Sequence, residues 1–322
     1  MGKKAIEVII PIYNGEKFID SIINTLEKQT FKNFSVVFVD DGSTDNSLNV
    51  LKERLVDVGF EHKVVHKENG GLSTARNTGV NSSDSEWITF IDCDDKLDPH
   101  FLEYLHRSVT ENNTLVGCCE FQGIPFDKQE RIKPVSEYDC EVVSAEQFMK
   151  DYYINWVGAC CFIVNREWLI SKDLLFYDEC TYCEDIPFIT RVVEAADRIS
   201  HVKNALYLYL LRQGSLIRSP KIEKYQVGIT AFLKMAEEMD GKETAAAKVF
   251  QGVGRARYML ATLRKGAVQL SFKSFKALSE MVDTEMLKGQ IKNLNATQKL
   301  AGYMYLISKT AFYFGIRFIF KD

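Results

Sequence analysis

Along the first third of the chain, short apolar runs rich in β-branched and aromatic residues alternate with longer stretches that keep one apolar face at helical spacing. Val8-Ile9-Ile10, Val36-Val37-Phe38-Val39, Val64-Val65 and Trp87-Ile88-Thr89-Phe90-Ile91 have the composition of strands buried in a parallel sheet. Phe18, Ile19, Ile22, Ile23 and Leu26 share one helix face, and Leu48, Leu51 and Leu55 share another. The order β, α, β, α, β, α, β predicts an α/β protein with a mostly parallel central sheet flanked by helices.

In an open sheet of this kind, ligands bind beyond the carboxyl ends of the strands. The first run ends in Pro11-Ile12-Tyr13-Asn14-Gly15, the second in Asp40-Asp41-Gly42-Ser43-Thr44-Asp45, and the fourth in Asp92-Cys93-Asp94-Asp95. After the third comes Asn69-Gly70-Gly71-Leu72-Ser73-Thr74-Ala75-Arg76-Asn77-Thr78-Gly79. All four segments are expected at one edge of the sheet.

From His100 the pattern predicts a helix through Phe101, Leu102 and Leu105, a strand near Leu115 to Cys118, and a polar stretch from Gly123 to Glu137. Ser144 and Gln147 form a capping-box signature that opens a further helix. Gly158 to Val164 reads as a strand before a helix that begins near Glu184, and Leu206 to Leu210 as a last strand. Beyond Pro220 the periodicity is helical. The expected division is a domain over residues 1–218, in two halves at 1–110 and 111–218, and a C-terminal helical appendage over 219–322.

The acidic turn carries the first chemistry. Extended spacing places Asp92 and Asp94 on one side of the chain, where their mutual repulsion is relieved by a divalent cation. An all-oxygen donor set favours Mn²⁺ or Mg²⁺, completed by diphosphate oxygens and water. The structural alternative is a turn that caps the next helix, a task Asp98 alone could perform. Tyr13 offers an aromatic face, and Asp40 or Asp41 a carboxylate that suits the imide N–H of a pyrimidine such as uracil. Arg76 supplies a cationic fork for phosphate or ribose, with Gly70-Gly71 allowing close approach of backbone.

Composition narrows the classes without naming one. The 322 residues are 46% hydrophobic and 26% charged with a net charge of −4, which offers nothing to a nucleic acid. Met1 to Ile6 runs into a strand pattern without an apolar leader, and the eight cysteines, several adjacent, suit reduced packed thiols, so a cytoplasmic location is expected. Cys180 and Cys183 have metal-clip spacing but no second pair to complete a zinc site. His66 and His201 read as strand-edge residues. No Gly-x-Gly-x-x-Gly follows the first strand and no P-loop occurs, which excludes dinucleotide oxidoreductases and P-loop kinases.

Taken together, Pro11-Ile12-Tyr13-Asn14, Asp40-Asp41-Gly42-Ser43, Asn69 to Gly79 with Ala75-Arg76-Asn77, and Asp92-Cys93-Asp94 resemble a family 2 glycosyltransferase of GT-A fold, of the bacterial polysaccharide-building type. The likeness continues more loosely through Cys183-Glu184-Asp185-Ile186-Pro187-Phe188 and Tyr207-Leu208-Tyr209 with Gly214-Ser215. The resemblance implies that Pro11, Tyr13, Asn14, Asp41 and Arg76 contact the nucleoside diphosphate of a UDP-sugar, with Asp40 nearby. It further implies Asp94 as principal metal ligand, Asp92 between the ribose and the metal, and Asp185 as catalytic base with Glu184 as the substitute. The implied reaction inverts the anomeric centre on transfer to a saccharide or lipid-linked saccharide. Where relatives often carry Trp-x-Lys-Leu, this chain has Trp156-Val157-Gly158-Ala159, which leaves acceptor recognition open, with Trp156 either stacking on a sugar or packing in the core.

Two other classes share features with this reading. A sugar-phosphate nucleotidyltransferase would carry a Gly-rich loop and a lysine after the first strand, which Pro11-Ile12-Tyr13-Asn14 is not. A non-catalytic nucleotide-sugar-binding subunit would be expected to have lost the acidic motif or the base. Aromatic and basic residues mingle from Lys292 to Asp322 without an apolar stretch long enough to span a bilayer, which predicts a helix lying on a membrane, packing on the catalytic domain or forming a homodimer.

Overall fold

The computed structural model describes residues 3–127, 134–152, 158–211 and 221–320. Trp156 and the Gly214-Ser215 pair lie outside them. A nine-stranded sheet organises the first of two compact units. Its strands are β1 (Ile6–Ile12), β2 (Phe34–Asp41), β3 (Glu61–Lys67), β4 (Trp87–Phe90), β5 (Lys96–Leu97), β6 (Val116–Pro125), β7 (Cys140–Ser144), β8 (Phe162–Asn165) and β9 (Arg198–Leu211). They lie in the order β3-β2-β1-β4-β8-β6-β9-β5, with β7 paired to β9.

The first half, β3-β2-β1-β4, is parallel; β1, β2 and β4 are the buried runs such a sheet demands, whereas Val64-Val65 of β3, expected to be buried, is only partly so because β3 is the edge strand. Register sets Ile12 beside Asp40 and Asp40 beside His66, so the chain leaves these strands at one edge. The far half is mixed. β8 runs against both β4 and β6, and β9 runs parallel to β6 but against β5 and β7. The strand expected over Gly158 to Val164 begins instead with a 3₁₀ turn, Ala159–Cys161, and extends to Asn165. β9 is also longer than the Leu206 to Leu210 core from which it was expected.

Around the sheet run α1 (Ile19–Glu27), α2 (Ser47–Arg54), α3 (Leu72–Ser82), α4 (Phe101–Asn112), α6 (Arg166–Ser171) and α7 (Asp185–Ala195), while α5 (Ala145–Asp151) belongs from Glu146 onward to the second unit. α3 starts after Gly71, whose φ of 89° is left-handed and suits glycine. It packs closely on β1 because Gly79 has no side chain: a Cβ there would collide with Ile9 Cγ2 and lie 3.1 Å from Cγ1. Gly79→Ala is therefore expected to cost about 1–3 kcal/mol despite alanine's better helix propensity, measurable by urea unfolding.

The second unit comprises Glu146–Trp156, Cys180–Cys183 and Gln213–Asp322. Its later helices are α8 (Ile222–Met239), α9 (Ala245–Val249), α10 (Arg255–Gln269), α11 (Phe272–Glu280), α12 (Thr284–Gln290), α13 (Ala296–Ile307) and α14 (Lys309–Ile319), with a π-helical turn at Phe250–Gly254 between α9 and α10. Phe232 stacks on Tyr258 at 3.7 Å in its core. Among the described residues no helix is long and apolar enough to cross a membrane.

Candidate active site

Arg76 is the centre of the polar edge. It is a large side chain on a helix that faces the sheet, and it is 1% exposed. Burying a guanidinium demands acceptors, and three carboxylates provide them. Nη1 donates to Glu184 Oε1 at 2.9 Å and to Asp185 Oδ1 at 2.8 Å, and Nη2 donates to Asp92 Oδ1 at 2.9 Å. The Cys160 sulfur lies 3.6 Å from Nη2. Burial opposes the charge on Arg76, but Asp185 and Asp92 outweigh it and raise its pKa further.

A stack of aromatic rings fixes this hub. Arg76 lies over Phe176 at 5.2 Å, Phe176 stacks on Phe188 of α7 at 4.0 Å, and both rings meet Phe90 edge-on. Asn77, next in the chain, donates to the Phe176 carbonyl and accepts from its N–H, tying the helix that carries Arg76 to that segment.

Glu184 and Asp185 open α7, where the helix dipole favours negative charge. Cys183 before them has a φ of 56°, an uncommon conformation for a non-glycine residue. Burial pushes the Glu184 carboxyl up to about 7, Asp185 adds to the rise, and Arg76 opposes it. Burial also raises Asp185, against the pull of Arg76. The two oxygens of Asp185 differ in role. Oδ1 accepts from Arg76 and from the Ala159 N–H at 3.2 Å, whereas Oδ2 takes no hydrogen bond among the described residues. Gly158 lies beside Oδ2, where even a Cβ would come to 3.4 Å.

The acidic turn divides in two. Asp95 faces inward, accepting from the Tyr207 hydroxyl at 2.7 Å and the Leu210 N–H at 2.9 Å, and burial pushes it up to about 7 with Asp92 adding. Asp92 is one-third exposed, and its Oδ2 has no partner among the described residues. Asp94 is half-buried. No three His, Cys, Asp or Glu side chains form a ready-made metal cage among the described residues. Asp92 and Asp94 at a strand end, Asp92 with one oxygen unpartnered among the described residues, beside Glu184 and Asp185 that share Arg76 with Asp92, do fit a divalent ion that takes its other ligands from diphosphate and water.

The residues expected to face a nucleotide are gathered at the same edge, and several are already engaged. Asp41 accepts from Lys67 Nζ at 2.6 Å, Gly70 N at 3.0 Å and Gly71 N at 2.8 Å, so it clasps the loop before α3. Asp40 Oδ2 lies 2.6 Å from His66 Nδ1 on β3, which places that histidine at a strand edge. Asn14, with a φ of 50°, accepts through Oδ1 from Thr44 N at 2.8 Å, and its N–H donates to Ser43 Oγ at 3.0 Å. It thereby joins the loops after β1 and β2. Pro11 is buried in β1, and Tyr13 is half exposed and presents its ring to solvent. Arg76 spends both terminal nitrogens on protein groups, and only Nε finds no acceptor among the described residues. Sequence reasoning had not picked out Lys67, Cys160, Phe176 or the Tyr207 hydroxyl, since their roles depend on distant partners.

A model of the family described as glycosyl transferase family 2 matches residues 7–175. The chain is 27% identical over 219 residues to the uncharacterized glycosyltransferase EpsJ of Bacillus subtilis, which covers 67% of this chain and 63% of that one. It is 28% identical over 221 residues to glycosyltransferase GlyG of Streptococcus pneumoniae, 66% of this chain and 73% of that one. The match to glycosyltransferase GlyA of the same organism takes in 31% of that protein, so the chain spans only part of some relatives. Among solved structures, it resembles the crystal structure of S. aureus TarS 1-349 in complex with UDP-GlcNAc, with a TM-score of 0.63 and 24% identity over 95% of this chain and 82% of that one. That likeness shows the GT-A fold.

Proposed function

The chain belongs to glycosyl transferase family 2, and from that premise we propose that it is an inverting glycosyltransferase moving a sugar from a UDP-sugar to a hydroxyl of a saccharide or lipid-linked saccharide. The observation that carries this reading is the Arg76 hub, which brings the acid at the end of β4 to the two acids that open α7. Donor and acceptor chemistry need different acids at a short separation, and this arrangement supplies both.

Asp185 is the base. Its Oδ1 is fixed by Arg76 and Ala159, which leaves Oδ2 to accept the proton of the acceptor hydroxyl. The acceptor oxygen bonds to the anomeric carbon as the bond from that carbon to the diphosphate oxygen breaks, and attack from the opposite face inverts the centre. UDP departs with the electron pair, and the proton stays on Asp185. Glu184, whose carboxyl burial raises to about 7, shares the guanidinium with Asp185. Asp94 and the free oxygen of Asp92 would hold Mn²⁺ or Mg²⁺, which supplies Lewis-acid neutralisation of the diphosphate charge. Tyr13 offers its ring to the uracil, and Asp40, Asp41 and Asn14 shape the base and ribose site through the loops they clasp.

Calorimetry against UDP-, GDP-, CMP- and dTDP-sugars, with and without Mn²⁺, tests the donor half. One UDP-sugar is expected to bind in a metal-dependent manner, and Asp94→Ala to weaken that binding by about tenfold or more, the scale of losing a charged metal ligand. Binding indifferent both to metal and to Asp94 would remove the metal from the mechanism.

A further inference from the structure

The last two helices are apolar on two faces. Their inner faces pack within the second unit: Tyr305 and Tyr313 are buried, with their hydroxyls on the Ser279 and Leu270 carbonyls. The outer face of α13 carries Leu300, Tyr303 and Ile307, and that of α14 carries Phe314 and Phe318, at the i, i+3, i+7 and i, i+4 spacings that align side chains along a helix. Leu300 is 65% exposed and Ile307 and Phe318 are 84% exposed. A face of this kind, presented to solvent on two successive helices, marks a contact surface.

Charge indicates what covers it. From Met286 to Lys321 the sequence has six cations, Lys288, Lys292, Lys299, Lys309, Arg317 and Lys321, and no Asp or Glu. The whole chain is −4, so everything outside this run totals −10. Lys288 pairs with Glu285, and Lys309 and Arg317 give hydrogen bonds to backbone carbonyls, but these contacts leave the positive excess in place. A second copy docked through the same face would bring like charges together, which opposes association. An anionic lipid surface meets both properties, with apolar side chains entering the acyl boundary and cations at the headgroups.

We infer that α13 and α14 form an interfacial docking face for anionic phospholipid, with Leu300, Tyr303, Ile307, Phe314 and Phe318 inserted. This inference requires neither the donor nor the acceptor assignment, because vesicle binding can be read without sugar.

The full chain is sedimented with phosphatidylcholine vesicles containing about 30% phosphatidylglycerol, and with pure phosphatidylcholine. Binding to the anionic vesicles is expected, with weakening at high salt and a loss of about tenfold or more in the double variant Ile307→Ser/Phe318→Ser. Both sites are exposed, and an unchanged melting temperature confirms that the variant folds. No binding to anionic vesicles, or binding undiminished in the double variant, overturns the inference. So does a wild-type dimer that the double variant converts to monomer without any vesicle binding, which would assign the face to self-association.

Discussion

Asp185→Asn is expected to lower kcat by about a thousandfold while changing the affinity for the UDP-sugar by less than about threefold. The amide keeps the volume of the carboxylate and can keep the Oδ1 contacts to Arg76 and Ala159. It cannot take a proton. Because the acids after β4, proposed for the donor side, are untouched, ground-state binding of the nucleotide should persist, so the loss falls on the chemical step. Glu184→Gln makes the contrast. Glu184 holds its proton up to about 7, so its replacement by an uncharged amide imitates a state the enzyme already visits and should cost about tenfold or less. Single-turnover rates alongside donor-binding calorimetry separate the two. Near-normal turnover in Asp185→Asn, or a Glu184→Gln defect of equal depth, would move the base away from Asp185.

The second large effect concerns stability. Arg76→Met keeps length and apolar volume but leaves Asp92, Glu184 and Asp185 without their shared cation, and breaking a buried ion network by removing one partner costs about 3–5 kcal/mol. For a chain of this size that corresponds to a fall in melting temperature of about 10 °C. Arg76→Lys should recover only part of it, since one ammonium cannot reproduce a planar fork reaching carboxylates on two elements. The pH dependence has a definite sign. Glu184 is raised from 4.5 to about 7 in the fold, so between those values the native state holds a proton that the unfolded chain has released. Stability therefore falls as pH rises through that window. Without Arg76, which opposes the rise, the fall should extend to higher pH in Arg76→Met. Differential scanning calorimetry from pH 5 to about 8 reads both effects, and a melting temperature within error of wild type would mean that the hub does not hold the fold.

The parallel half of the sheet and its polar edge were legible in the sequence because each depends on local pattern. β1, β2 and β4 are built on short apolar runs, and three of the four polar segments follow directly from their carboxyl ends, the fourth from that of β3. Much of the far half was not. β7 reads Cys-Glu-Val-Val-Ser with partial burial, and β5 has two residues that make a strand only because β9 lies against them. The same limit applies within the site. The sequence points Asp41 and Asn14 at a nucleotide, but nothing local foretells that their oxygens bind Gly70, Gly71 and Thr44. Arg76 was read as a grip for phosphate. Its carboxylate partners on α7 stand 108 and 109 residues further along, and no spacing rule reaches that far.

That separation also sets an order of assembly. While the chain is being made, the first half emerges with Arg76 and Asp92 long before α7 exists, so the guanidinium has only one of its three carboxylates until a loop of more than a hundred residues closes. Contacts of such range form late and slow the search for the native state. The segment that looks most like a self-sufficient nucleotide-binding module is thus incomplete by itself, and the acids that finish its interior include the one proposed as base.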